Sequence, residues 1–257
     1  MCGICGIVDF KSPVEAPVLQ RMTDAIRHRG PDDEGIKAFD HAGLGHRRLS
    51  ILDLSPLGHQ PMRSPDGRYW IAYNGEVYNF PELKAELESQ GIHFKSTSDT
   101  EVILHAFIQQ GEACFRRFNG MFAVAIWDDR EKRLVLARDR FGIKPLYVHE
   151  SPGIVVFGSE MKSILASGRI APEMNWEALH EYLYYGNPLR ASTMYEGIRE
   201  LLPGHVMTID RSGSRAMCYW SAADVDPVHD GLDVATGCVR DRLEAAVRRH
   251  LISDVPV

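Results

Sequence analysis

"MFAVAIWDDREKRLVLARDRFGIKPLYVHESPGIVVFGSE" (residues 121–160) decides the architecture. It divides into four apolar runs, "MFAVAIWD" (121–128), "RLVLARD" (133–139), "LYVHE" (146–150) and "GIVVFGSE" (153–160). Each has the length of a strand and is rich in branched and aromatic side chains. Tight polar turns separate them and leave no room for a crossover helix, so successive strands pair antiparallel. Helical patterns lie before and after this run and not between its members. That segregation predicts an α+β protein and argues against a parallel βαβ array.

Towards the N-terminus, residues 3–10 form a further strand. "SPVEAPVLQRMTDAIRHR" (12–29) is expected to be a helix, with Ser12 as N-cap, Pro13 in the first turn and Glu15 completing a capping box. Val14, Val18, Met22 and Ile26 make its apolar stripe. "RGPDDEG" (29–35) breaks the pattern as a turn, and short strands follow around Leu44–Leu54 and Tyr69–Tyr73. "NFPELKAELESQG" (79–91) is a helix closed by Gly91, and "SDTEVILHAFIQQG" (98–111) is another, with Ser98 and Glu101 as a capping box. Towards the C-terminus, "HVMTIDRSGSRAMCYW" (205–220) is expected to be a hairpin and the Asp-rich "SAADVDPVHDGLD" (221–233) a linker. Val234, Cys238, Leu243, Val247 and Leu251 then make a helical stripe before "ISDVPV" (252–257). Such a helix is expected to open a second domain, so the chain is expected to be the first part of a longer protein.

Hydrophobic residues make up 44% and charged residues 25% of the 257, the balance of an ordinary globular chain. A net charge of -6 with no long basic run argues against nucleic acid as a partner. The five cysteines (Cys2, Cys5, Cys114, Cys218, Cys238) are odd in number and scattered. They suggest no disulfide framework and point to a reducing, cytoplasmic setting. The N-terminus lacks the regions of a signal peptide, and no apolar run is long enough to cross a membrane.

Chemistry concentrates in a few places. Cys2 stands directly behind Met1 and is small enough for an aminopeptidase to remove Met1. It would then carry a thiol and a free α-amine whose pKa of roughly 7.7–8.0 suits a general base. A buried structural cysteine is the plain alternative. "CGIC" (2–5) has the spacing of a redox pair or half a zinc site, but no second such pair occurs, and residues three apart in a strand face opposite ways. No metal is therefore expected, and Cys5 is expected in the core. Asn74-Gly75 is a tight-turn dipeptide; alternatively its amide and backbone N–H groups form a donor pair for an oxyanion. Of Arg47 and Arg48, one is free to face solvent while the other clamps a carboxylate in a bidentate fork. Asp99 is either a first-turn acid favoured by the helix dipole or an acceptor for a substrate ammonium.

These pieces occur together and in order. The opening "MCGI", then "RHRGPD" (27–32), "HRRLSILD" (46–53), "YNGEVYN" (73–79), "SDTEV" (98–102), "RDRFGIKPLY" (138–147) and "GSEMKSIL" (158–165), resemble the amidotransferase half of glutamine-dependent asparagine synthetases. The resemblance covers roughly residues 2–220. It implies an N-terminal-nucleophile hydrolase fold, a four-layer αββα sandwich of two antiparallel sheets between helical layers. It further implies that Cys2 is the nucleophile and its amine the base, and that Asn74 and Gly75 form the oxyanion hole. Arg48 would bind the glutamine α-carboxylate beside the backbone of Leu49, Ser50, Ile51 and Leu52. Asp99 and Glu76 would hold the α-ammonium.

The resemblance implies a glutamine amidotransferase domain over 2–220, a linker over 221–233 and the first helix of a synthetase domain over 234–257. That second domain would use ATP, Mg²⁺ and aspartate. Its Ser-Gly-Gly-x-Asp-Ser loop does not occur here, so no cofactor is expected in this chain and aspartate cannot be activated on it. A homodimer is compatible with the resemblance. Two alternatives stand beside this reading: the same glutaminase serving a different acceptor, and a catalytically silent domain that only binds glutamine.

Overall fold

In the computed structural model, which describes residues 1–227 and 231–255, the expected antiparallel run links two sheets. The strands in chain order are β1 (Gly3–Asp9), β2 (Asp33–Ala38), β3 (Ala42–Arg48), β4 (Met62–Arg63), β5 (Tyr69–Val77), β6 (Gly120–Asp128), β7 (Arg133–Arg138), β8 (Tyr147–Ser151), β9 (Ile154–Gly158), β10 (Ile198–Glu200), β11 (His205–Asp210) and β12 (Gly213–Cys218). The helices are α1 (Ala16–Asp24), α2 (Phe80–Ser89), α3 (Asp99–Gln110), α4 (Met161–Ala166), α5 (Trp176–Tyr185) and α6 (Leu232–His250). One sheet has the order β10-β8-β9-β1-β3-β2 and the other β12-β11-β7-β6-β5-β4.

The side-chain period of two builds three apolar layers from these strands. β1 sends Ile4 and Val8 between the sheets, where they join Leu44, Ala72, Trp127 and Leu136. It sends Cys5 and Ile7 outward against Leu19 and Met22 of α1 and Ile164 of α4. In the facing sheet, Ala123, Ala125 and Trp127 of β6 point inward. Phe122, Val124 and Ile126 point outward with Leu83 of α2 and Ile103 and Phe107 of α3. Burial on both faces explains why these strands are continuously apolar and do not alternate with polar residues. Each large apolar side chain buried in this way contributes about 1.5–3 kcal/mol. The result is the expected αββα sandwich.

The local readings differ from the structure in five places. The first helix begins at Ala16 with Glu15 at the N-cap and no capping side chain. Asp9 Oδ1 accepts the N–H groups of Lys11 and Ser12 at 2.9 and 3.0 Å, which holds Ser12 in the preceding loop. Residues 33–35 of the expected turn begin β2, a sheet-edge strand paired with β3. The strand through Leu44 stops at Arg48, and the residues up to Leu54 form a loop. Asn74 and Gly75 are not a hairpin turn. They lie inside β5, opposite Ala123 and Phe122 of β6. At Ser98 the cap forms, its side chain accepting from Thr100 N–H, but Glu101 turns instead to the N–H groups of Lys95 and Ser96.

The expected hairpin at 205–220 is β11 and β12. Residues 228–230 of the expected linker, and 256–257 beyond the last helix, lie outside the described residues. α6 leaves Val234, Leu243 and Val247 at least half exposed. At its end the His250 ring stands edge-on to Tyr78 at 4.1 Å. Asp254 then meets the loop after β3, donating N–H to Ile51 O at 3.0 Å and accepting Asp53 N–H at 2.8 Å.

Candidate active site

β1 and β3 are neighbours in one sheet, with Gly3 opposite Arg47. This register sets Cys2 beside the loop that leaves β3. Leu49 N–H donates to Cys2 Sγ at 3.3 Å, and Leu49 O lies 3.5 Å from the same sulfur. Arg29 Nε donates to Cys2 O at 2.8 Å while its Nη1 pairs with Glu160 at 3.0 Å. The residue next to the chain terminus is therefore fixed from both sides.

β5 of the facing sheet supplies the opposite wall. Tyr73 N–H donates to Gln60 Oε1 at 2.7 Å, and Val77 N–H to Asp99 Oδ2 at 3.1 Å. Both donors point off the strand edge away from β6. Backbone direction alternates along a strand, so the Gly75 N–H between them points the same way. The Asn74 side chain is buried, and its Nδ2 has no partner in the protein. Buried donors are nearly always paired, so this one is poised for an acceptor from outside the chain.

Strand alternation separates the two arginines. Arg47 is not solvent-facing: it pairs with Asp24 at 2.6 Å and Glu34 at 2.7 Å and donates to Thr23 O, tying β3 to α1 and β2. Arg48 turns to the other side, where its Nη2 donates to Leu52 O at 3.0 Å and to Asp53 O. It folds the loop after β3 against the cavity. Asp99, the first residue of α3, is buried, and its Oδ2 accepts the Tyr73 hydroxyl at 2.8 Å. Burial raises its pKa to about 6, opposed by the Val77 N–H and the Tyr73 hydroxyl.

One cavity is lined by Cys2, Arg48, Leu49, Ile51, Leu52, Asn74, Gly75, Glu76 and Asp99. Of the residues expected at the site, only Ser50 stands off its wall; its N–H is held by Asp32 Oδ2 at 2.8 Å. The wall also contains Met1, Gln60, Tyr73, Ser98, Thr100 and Lys144. Tyr73, Ser98 and Lys144 belong to motifs already noted. Gln60 lies in none, and its role as support for Tyr73 N–H and partner of Thr100 Oγ1 depends on tertiary contact alone.

Burial pushes the Cys2 thiol pKa up, partly offset by the Leu49 N–H, the terminal amine and Arg48. Burial pushes the Met1 amine down, Arg29 and Lys144 act in the same direction, and Cys2 and Asp32 oppose them. His46 is fully buried, its Nε2 lies 3.0 Å from Tyr73 O, and burial lowers its pKa to about 3. Cys5 is fully buried in the layer under α1, separate from Cys2. Among the described residues no group of three or more His, Cys, Asp or Glu side chains is arranged to hold a metal ion.

The family model for the glutamine amidotransferase domain matches residues 1–220. The chain belongs to that family. This amidotransferase domain is 39% identical over 262 residues to asparagine synthetase [glutamine-hydrolyzing] 3 of Bacillus subtilis, and 37% identical over 262 residues to asparagine synthetase [glutamine-hydrolyzing] 1 of the same organism. Each match covers 100% of the chain, which spans 42% and 41% of those relatives. The amidotransferase also superposes on the glutamine phosphoribosylpyrophosphate amidotransferase of B. subtilis, complexed with ADP and GMP, with a TM-score of 0.64 and 22% identity. The match covers 85% of this chain and 49% of that one. This likeness shows the fold, the N-terminal-nucleophile hydrolase sandwich.

Proposed function

We propose that this amidotransferase domain hydrolyses glutamine at Cys2, and that the ammonia serves ATP-dependent amidation of aspartate to asparagine in the remainder of a longer protein. One observation carries the glutaminase reading. A thiol next to the chain terminus shares a cavity with a buried, unpartnered amide donor, Asn74 Nδ2. Similarity to the two asparagine synthetases supports the acceptor.

In this reading Met1 is removed. Arg48 and the backbone of residues 49–52 take the glutamine α-carboxylate, and Asp99 with Glu76 takes the α-ammonium. The side-chain carbonyl oxygen lies between Asn74 Nδ2 and Gly75 N–H. The Cys2 amine accepts the thiol proton, and Sγ attacks the amide carbon. The carbonyl electron pair moves to oxygen, where the two donors stabilise the oxyanion. On collapse the C–N bond breaks, and nitrogen takes the proton from the Cys2 ammonium and leaves as ammonia. Water then attacks the glutamyl thioester, giving its proton to the amine. Glutamate leaves, and the thiolate is reprotonated.

ATP and Mg²⁺ belong, in this reading, to a synthetase domain that follows the amidotransferase domain of residues 2–220 and to which α6 (Leu232–His250) would belong. A cytoplasmic setting and a homodimer are part of the same proposal. Among the described residues no helix is long and apolar enough to cross a membrane.

The test is glutamate release by two variants in the full-length protein. Cys2→Ala should lose roughly 10³-fold or more of glutaminase turnover with an unchanged circular dichroism spectrum. Cys5→Ala should keep turnover and lose some core stability. Wild-type turnover by Cys2→Ala would overturn the proposal.

A further inference from the structure

The proposed mechanism leaves a buried cation of the cavity without a task. Lys144 is 5% exposed and lines the cavity with Cys2, Gly75 and Glu76. Its backbone is held firmly between β7 and β8. Lys144 N–H donates to Asp139 Oδ2 at 3.0 Å, and Lys144 O accepts from Arg138 Nε at 2.9 Å. The same Asp139 carboxylate takes the N–H groups of Phe122, Phe141 and Ile143. The side chain is thus presented from a stiff loop.

Among the described residues no carboxylate forms an ion pair with the Lys144 ammonium. Its hydrogen-bond partner is Met1 Sδ at 3.4 Å. A thioether is a weak acceptor, and an ammonium is costly to bury with so little compensation. The partner also belongs to the residue that the proposed processing removes. In the unprocessed chain the terminal amine is that of Met1, one residue before Cys2, and the charges that act on it are Cys2, Arg29, Lys144 and Asp32. Burial lowers the Lys144 pKa and Arg29 acts in the same direction, while Glu76, Cys2 and Asp139 oppose them and favour the charged ammonium. Arg29 is already committed to Cys2 O and Glu160.

We propose that Lys144 is a positioning residue for the general base: in the processed chain its ammonium faces the α-amine of Cys2 and holds it in the unprotonated form that accepts the thiol proton. A neighbouring cation disfavours a second positive charge on the amine, so the amine remains free base to lower pH. Lys144 thereby acts through Cys2 without touching the glutamine head group bound by Arg48 and Asp99.

The inference rests on the proposed role of the Cys2 amine, and its test separates the two. In the full-length protein, kcat/KM for glutamate release is measured against pH for wild type, Lys144→Met, Lys144→Gln and Lys144→Arg, with the N-terminus of each preparation checked by mass spectrometry. Removal of the charge should move the acidic limb to higher pH by about one unit, with the plateau kept. Below the limb this is a tenfold loss. Lys144→Arg should leave the limb in place. A limb that ignores the charge overturns the inference, as does loss of the plateau at every pH, which would make Lys144 itself the base. If neither neutral variant folds, the Cα resonance of ¹³C-labelled Cys2 in the wild type can still overturn the inference. It should titrate below the ordinary α-amine range of roughly 7.7–8.0, and a value in or above that range overturns the inference. Full turnover by protein that retains Met1 would instead overturn the amine as base.

Discussion

Asp99 works against the stability of the fold that holds it. Burial raises its pKa to about 6, whereas an unfolded aspartate titrates near 3.9. Between these values the native state binds more protons than the unfolded state, so stability falls as pH rises through that window. Above it, the ionised buried carboxylate costs on the order of 1–3 kcal/mol. The same charge suits a substrate ammonium. Asp99→Asn should therefore be more stable than wild type at pH 8 by roughly that amount, with the difference shrinking towards pH 4. Its KM for glutamine should rise about 30-fold or more. Thermal melts at the two pH values and steady-state kinetics check both, and a variant less stable at pH 8 with an unchanged KM would refute the assignment. Most of the cavity wall was legible at this scale, because Cys2, Arg48, Asn74, Gly75 and Asp99 each belong to a recognisable motif. Which of Arg47 and Arg48 faces the cavity depended on strand alternation and on Asp24 and Glu34 waiting on the other side. Gln60 was not legible, because its work is done through contacts with Tyr73 and Thr100.

Among the elements, β5 shows how tertiary pairing overrides a local signal. Asn-Gly is a strong turn dipeptide, yet β5 pairs with β6 without interruption from Tyr69 to Val77. Gly75 is needed there for space: a Cβ would lie 2.2 Å from Met121 O and 2.7 Å from Phe122 Cα. Neither backbone atom can yield without moving β6. Gly75→Ala should lower the melting temperature by roughly 3–10 °C, the effect of about 1–3 kcal/mol of overpacking in a domain of this size. It should also abolish most glutaminase turnover by displacing the proposed oxyanion donor. A melting curve that superposes on wild type, with turnover intact, would contradict this account of the strand. The acidic, glycine-containing β2 was read as a turn for a different reason. Edge strands favour charge over apolar continuity, and β2 has only β3 beside it.

For the whole molecule, the sandwich was legible because its central strands are apolar on both faces, and only two-sided burial demands that. The place of α6 was not legible. Its apolar stripe is exposed along Val234, Leu243 and Val247, while Arg242, Ala245, Ala246, Arg249 and His250 line a cavity with Tyr78, Met121 and Phe141 of the domain. The two sheets meet so that the start of β1, the end of β3 and the middle of β5 enclose one cavity, and the glutaminase reading depends on that meeting. The most direct test is to quench the full-length protein during glutamine turnover at acidic pH and map its peptides by mass spectrometry. The account predicts a glutamyl thioester on the sulfur of Cys2, in a peptide whose first residue is Cys2 with its amine free. A glutamyl group on any other residue, or undiminished turnover with Met1 still attached, would contradict it.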